Sequence, residues 1–177
     1  MADQFDDLFP ALTAIEGGYS NDPKDSGGET MHGITAIEAR SNGYEGRMQD
    51  MPLNFAKIIY KEKYWTSPRS DEVGSISKVI AAELFDTAVN CGVQTAVKMF
   101  QRCLNVFNQE QKLYPDLLVD GSIGDKNLLA FKKHFAARDI VVFLKALNCL
   151  QGARYIELAE RRVKDEKFIY GWIKNRI

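Results

Sequence analysis

Apolar residues recur at three- and four-residue spacings through nearly every segment of this chain, and that pattern restricts the fold to packed helices. Phe5, Leu8, Phe9, Leu12 and Ile15 predict a helix from Asp3 to Glu16, ended by Gly17-Gly18, with Pro10 able to kink it or shift its start. Thr35 and Glu38 form a capping box that opens a short helix ending near Asn42-Gly43. Pro52 suits the first turn of a helix with Phe55, Ile58 and Ile59 on its apolar face. Ile76, Val79, Ile80, Leu84, Phe85 and Val89 mark a strongly apolar central helix, stopped at Asn90-Cys91-Gly92. Val93, Val97, Phe100, Leu104 and Phe107 mark the next. Asp125 is placed to cap the helix carrying Leu128, Leu129 and Phe135. A long helix runs from about Asp139 through Phe143, Leu147 and Leu150 towards Val163, with Gly152 a site for a bend, and Phe168, Tyr170 and Trp172 in the tail are expected to dock on the body. The expected fold class is all-α.

Composition narrows the setting. The 177 residues are 45% apolar and 27% charged, ordinary for a globular domain, and the longest unbroken apolar run found, Ile140 to Leu144, is far too short for a membrane helix. A net charge of −1 argues against nucleic-acid binding through bulk positive charge. The total hides an asymmetry. Residues 1–50 hold ten acids and three bases, a net of −7, so the remainder, with 20 bases and 14 acids, is at +6. A basic remainder suits an anionic partner. Cys91, Cys103 and Cys149 are odd in number and widely spaced, with no CxxC and no nearby His32 or His134. They read as small residues of apolar helix faces, implying neither a disulfide framework nor a metal site. Met1 to Phe9 is acidic and has no secretory signal pattern.

One segment breaks the helical pattern. From Tyr19 to Gly33 the chain is crowded with turn formers, predicting a long loop or small hairpin near the N-terminus. Loops of that length in small helical domains are commonly functional. Its acids are Glu16, Asp22, Asp25 and Glu29, and Thr30, His32 and Thr35 add polar groups. Glu16 is the most informative. It closes an apolar helix, where the negative end of the helix dipole disfavours a carboxylate, and burial against Ile15 and Tyr19 would disfavour it further. Both effects raise a Glu pKa, as a general acid near neutral pH requires.

The motifs Glu16-Gly17-Gly18-Tyr19-Ser20-Asn21-Asp22-Pro23, Gly27-Gly28-Glu29-Thr30 and His32-Gly33-Ile34-Thr35 together resemble the signature of glycoside hydrolase family 108. Further agreement comes from Ile59-Tyr60, Tyr64-Trp65, Phe85-Asp86, Val89-Asn90, Gly92, Gln101, Asp120-Gly121, Gly124, Phe168 and Gly171-Trp172. The resemblance implies a lysozyme-like fold with a catalytic part over 1–92 and a helical peptidoglycan-binding part over 93–177, packed as one continuous body. Two departures stand out: Asn127 where a Thr is common, and His32 where an aromatic such as Tyr is common.

That family implies an N-acetylmuramidase of endolysin type, in which Glu16 protonates the glycosidic oxygen between N-acetylmuramic acid and N-acetylglucosamine. Asp25 would stabilise positive charge or activate water, with Asp22 its rival for that role, and Thr30 would hold the water. Tyr19, Asp22, His32, Tyr64, Trp65, Asp86 and Asn90 are the candidate substrate-binding residues. No metal or cofactor is implied. The expected partner is the glycan strand of peptidoglycan, met by a monomer without membrane insertion. Without a signal segment, synthesis is expected in the cytoplasm and access to the wall through holin lesions. Two other readings stay open: a lytic transglycosylase acting on the same bond, and a non-catalytic wall-binding or secretion-associated accessory.

Overall fold

The computed structural model describes residues 4–16, 18–21 and 28–177; the side chains of residues 11–16 and of Lys164 lie outside that set. The fold is all-α, with nine α-helices and one two-stranded hairpin among the described residues. No described helix is long and apolar enough to cross a membrane. The chain forms two compact units, residues 1–67 and 68–177.

In the first unit, α1 (Gln4–Glu16) runs through Pro10, and its apolar stripe seats Phe5 and Phe9 in an aromatic core. Phe5 packs on Phe9 at 5.5 Å between ring centroids and on Trp65 at 6.0 Å, and Phe9 meets Tyr60 edge-on at 5.8 Å. Lys57 ties the helix from outside through Asp6 at 2.9 Å. Strands β1 (Thr30–Met31) and β2 (Ile34–Thr35) form the hairpin, Met31 paired with Ile34 and Thr30 with Thr35. Thr35 then caps α2 (Ala36–Ser41), its hydroxyl accepting from the Glu38 backbone N–H at 3.2 Å. The Glu38 side chain departs from the capping box and pairs with Lys63 instead, at 2.5 Å. Helix α3 (Leu53–Tyr60) begins after Pro52, whose fixed φ suits that position. It continues directly into a π-helical turn, Lys61–Thr66. Such turns are rare and often accompany functional sites.

The second unit contains α4 (Ser70–Ile76), α5 (Lys78–Cys91), α6 (Val93–Val106), α7 (Asp125–Ala137), α8 (Ile140–Arg161) and α9 (Glu166–Arg176). Its core centres on Phe100, Phe131 and Phe143, whose rings lie 5.1 to 5.7 Å apart. The irregular stretch between α6 and α7 is held by amide side chains of α6. Asn105 both donates to and accepts from the Leu117 backbone at 2.8 Å, and Gln101 donates to Asp120 at 2.8 Å while accepting from the Gly121 N–H at 2.9 Å.

In the second unit three further details differ from the sequence expectations. The cap of α7 is made by Asn127, whose amide oxygen accepts from the Gly124 N–H at 2.8 Å, while Asp125 pairs with Arg69 at 2.9 Å. The residue that departs from the family pattern therefore performs a capping function of its own. In the tail, Trp172 docks on Tyr155 at 5.3 Å, whereas Tyr170 is 78% exposed because it lies on the outer side of α9. Cys103 is buried as expected, but Cys149 is exposed on the outer face of α8.

Candidate active site

Glu16 is the last residue of α1, and no basic residue occupies that helix's last turn. No basic residue of the helix's own last turn therefore offsets its C-terminal partial charge, the backbone half of the argument for a general acid. The Glu16 side chain, Asp22 and Asp25 lie outside the described residues.

The chain after α1 returns to the hairpin. Ser20 and Thr30 exchange both backbone hydrogen bonds, at 3.0 and 2.8 Å. That pairing makes Ser20 a third rung beside the two strands. Tyr19, 38% exposed, donates its hydroxyl proton to Glu29 Oε1 at 2.7 Å. Glu29 also receives the Ala36 N–H on its backbone carbonyl at 2.8 Å, so it fastens the entry of the hairpin to the start of α2. Glu29 was visible in the sequence as a loop acid, but nothing there revealed its partner ten residues upstream.

The hairpin turn is His32-Gly33, with φ of 52° and 76°. A two-residue hairpin loop favours positive φ at both central positions because only that twist matches the strands. Histidine is among the few side chains that visit this region readily. The His32 carbonyl accepts from the Tyr60 hydroxyl at 3.3 Å, which pins the turn to the end of α3. Tyr60 in turn packs on Tyr64 at 5.4 Å, and the Lys63 ammonium lies 4.8 Å from the centre of the Tyr64 ring. The first unit thus brings Tyr19, Thr30, His32 and Tyr64 into one connected network around the hairpin. Trp65, adjacent in sequence, turns inward and is fully buried against Phe5. Its indole has no face open to a sugar; it forms the floor on which α1 rests.

Residues 9–92 match the model of the glycosyl hydrolase 108 family, and residues 95–177 match that of the family described as "Predicted Peptidoglycan domain". Residues 9–92 belong to glycosyl hydrolase family 108. The whole chain is also similar to the solved structure of Brucella abortus SagA, with a TM-score of 0.71 and 25% identity over 97% of this chain and 88% of that one. No curated protein matches it. The chain is a glycoside hydrolase whose second half matches a peptidoglycan domain.

In this hydrolase Asp86 and Asn90 sit on α5, in the second unit. Both oxygens of Asp86 are engaged: Oδ1 by Arg176 of α9 at 2.5 Å and Oδ2 by Gln151 of α8 at 3.0 Å. Asn90 donates back to the Asp86 carbonyl at 2.7 Å. Gln151 also donates to the Thr87 hydroxyl at 3.0 Å, and that hydroxyl donates to Glu83 at 3.1 Å. The network ties three helices together.

Glu83 is the member that sequence reasoning missed. Burial pushes its pKa up to about 7, the Thr87 hydrogen bond opposes the rise, and the neighbouring Asp86 charge adds to it. A carboxyl raised above its unfolded value contributes stability in full below the unfolded pKa of 4.5, and loses it as pH rises through about 7. Glu83→Gln, which stays neutral, is therefore expected to be more stable than the native protein at pH 8, with the gap closing at pH 5. Urea midpoints at the two pH values measure it. Nearby, burial lifts the Cys91 thiol to about 11, so at neutral pH it is a protonated thiol and no nucleophile.

Proposed function

We propose that this glycoside hydrolase is an endolysin-type N-acetylmuramidase. Glu16 donates its proton to the glycosidic oxygen while positive charge develops on the muramic acid ring. Asp25, with Asp22 as the competing candidate, stabilises that charge or activates the incoming water, and Thr30 holds the water. Tyr19, His32 and Tyr64 contact the glycan. Trp65 contributes by seating α1, and Asp86 with Asn90 by bracing α5. Release through holin lesions and action as a monomer on the cell wall complete the proposal.

The observation that carries this reading is the family match over 9–92, combined with Glu16 ending α1 and Ser20, four residues on, pairing with Thr30 of the hairpin. Mass spectrometry of fragments released from purified peptidoglycan is the test. Reducing N-acetylmuramic acid ends are expected. Fragments ending in 1,6-anhydro rings would replace water by an internal hydroxyl and make the enzyme a lytic transglycosylase. Retention on insoluble wall with no new ends would leave only a binding protein.

A further inference from the structure

In the second unit α7 packs along α4, and its outer face lies between two hollows. The larger, of about 470 Å³, is walled by Ile76 of α4 and by Leu128, Leu129 and Phe135 of α7. The smaller, of about 290 Å³, lies against Tyr114, Pro115 and Leu117. Leu129 lines both and stands between them. It is 57% exposed, and Phe135 is 44% exposed. No aromatic or cationic group among the described residues covers the Phe135 ring. A lone exposed leucine needs no explanation, but adjoining apolar walls rimmed by charge mark an interaction site.

The second observation is charge on the same face. Lys126 and Lys133, two turns apart, line the smaller hollow, and Lys132 lines the larger. All three are exposed, and none has an ion-pair partner among the described residues. The acids present are already engaged. Glu72, in the larger hollow, is gripped by Arg69 through Nε at 2.5 Å and a second nitrogen at 2.8 Å, which holds its carboxyl below the usual range. Asp116, in the smaller, accepts from the Asn108 amide at 2.6 Å. Asp125 pairs with the same Arg69 at 2.9 Å. Three uncommitted cations around apolar hollows complement a partner that is anionic and also offers apolar surface.

We infer that this face of α7 holds the glycan strand of peptidoglycan, a chain of N-acetylated sugars that carries carboxylates. One face of a sugar ring is a layer of C–H bonds, which suits the electron-rich face of Phe135. Acetamido methyls enter the hollows on either side of Leu129. Lys126, Lys132 and Lys133 meet the carboxylates, on the lactyl group of the sugar or on the attached peptide. Ser75 gives its own proton to the Glu72 carbonyl at 2.7 Å, so its oxygen accepts from a sugar hydroxyl or amide. A lipid surface would take a convex apolar face instead of two hollows with a carboxylate in each. The choice of glycan rests on the proposed action on peptidoglycan, and α7 lies within the segment that matches the peptidoglycan domain.

Co-sedimentation of the full chain with insoluble peptidoglycan, in the cold where cleavage is slow, is the test. Saturable retention is expected. Phe135→Ala is expected to weaken it about tenfold, the usual cost of losing an aromatic anchor. Lys126→Glu combined with Lys133→Glu is expected to weaken it about fivefold, with the larger loss at low salt. These positions are exposed, so circular dichroism is expected to match the native protein. Val106→Ala, exposed on α6, is the control expected to bind as the native chain does. Undiminished retention of either the Phe135 or the lysine variant overturns the inference. Binding to vesicles of anionic phospholipid in place of peptidoglycan, lost in the same variants, also overturns it. Peptidoglycan stripped of its peptides separates the carboxylate sources: retention there assigns the lactyl group and its loss the peptide, either result keeping α7 as the site. Release of reducing ends by the native chain is measured in parallel. Retention that depends on α7 without cleavage removes the hydrolase reading and keeps the site; cleavage with retention indifferent to α7 does the reverse.

Discussion

Glu16→Gln is expected to slow the release of reducing ends from purified peptidoglycan by about 10²–10⁴-fold, the range a positioned general acid contributes. The amide keeps the shape and the polarity of the carboxyl but has no proton to give a leaving oxygen at the required acidity. Glu16 ends α1 in a turn without a cation, so the helix dipole favours the protonated form that the reaction consumes. The substitution is expected to leave the fold intact, because α1 is anchored by Phe5 and Phe9, well away from its last residue. Circular dichroism and the melting temperature are expected to match the native protein. Undiminished clearing of cell walls by a folded Glu16→Gln protein would end the role assigned to Glu16. Asp22→Asn and Asp25→Asn in the same assay decide which of the two assists it.

Trp65→Ala is expected to cost about 3–5 kcal/mol of stability, the usual penalty for emptying a buried aromatic site. Trp65 has 0% exposure, its neighbour Phe5 also has 0%, and their rings lie 6.0 Å apart. Removing the indole leaves a void under α1 that a rigid aromatic cluster fills poorly. A residue whose main work is contacting a sugar would behave otherwise, raising KM with little change in melting temperature. For Trp65 the melting temperature is expected to fall first. Activity is expected to fall with it even where the protein stays folded, since α1 carries Glu16 and small misplacements of a catalytic group are costly. Trp65→Phe, which keeps most of the packing, should recover much of both losses. Thermal melts and initial rates on the three proteins provide the comparison.

Helical periodicity located α1, α5, α6 and α8 well, because it is written in residues three and four apart that share a face. The break in that pattern after Gly18 located the hairpin region, and the Thr35 hydroxyl capped α2 as its spacing implied. The motifs around Glu16 led to the family. What periodicity could not decide was which neighbour each polar group would choose. Glu38 had the spacing for a capping box, yet its carboxylate went to Lys63, a full charge 25 residues away. Asp125 had the position for a cap, yet Arg69 drew it off and Asn127 took over.

The sequence by itself therefore determined the fold class, the place of the hairpin and the family, since these follow from local spacing and short motifs. Tertiary structure alone decided that Trp65 packs inward beneath α1 while Tyr64, in the same π-helical turn, is only half-buried against Tyr60. It alone joined Asp86 to Arg176 across 90 residues, raised Glu83 by burial, and left His134 Nε2 buried without a hydrogen-bond partner. The physical reason is common to all of these. Burial, desolvation and hydrogen-bond partnership are properties of the space around a side chain, and that space is filled by residues distant in the chain.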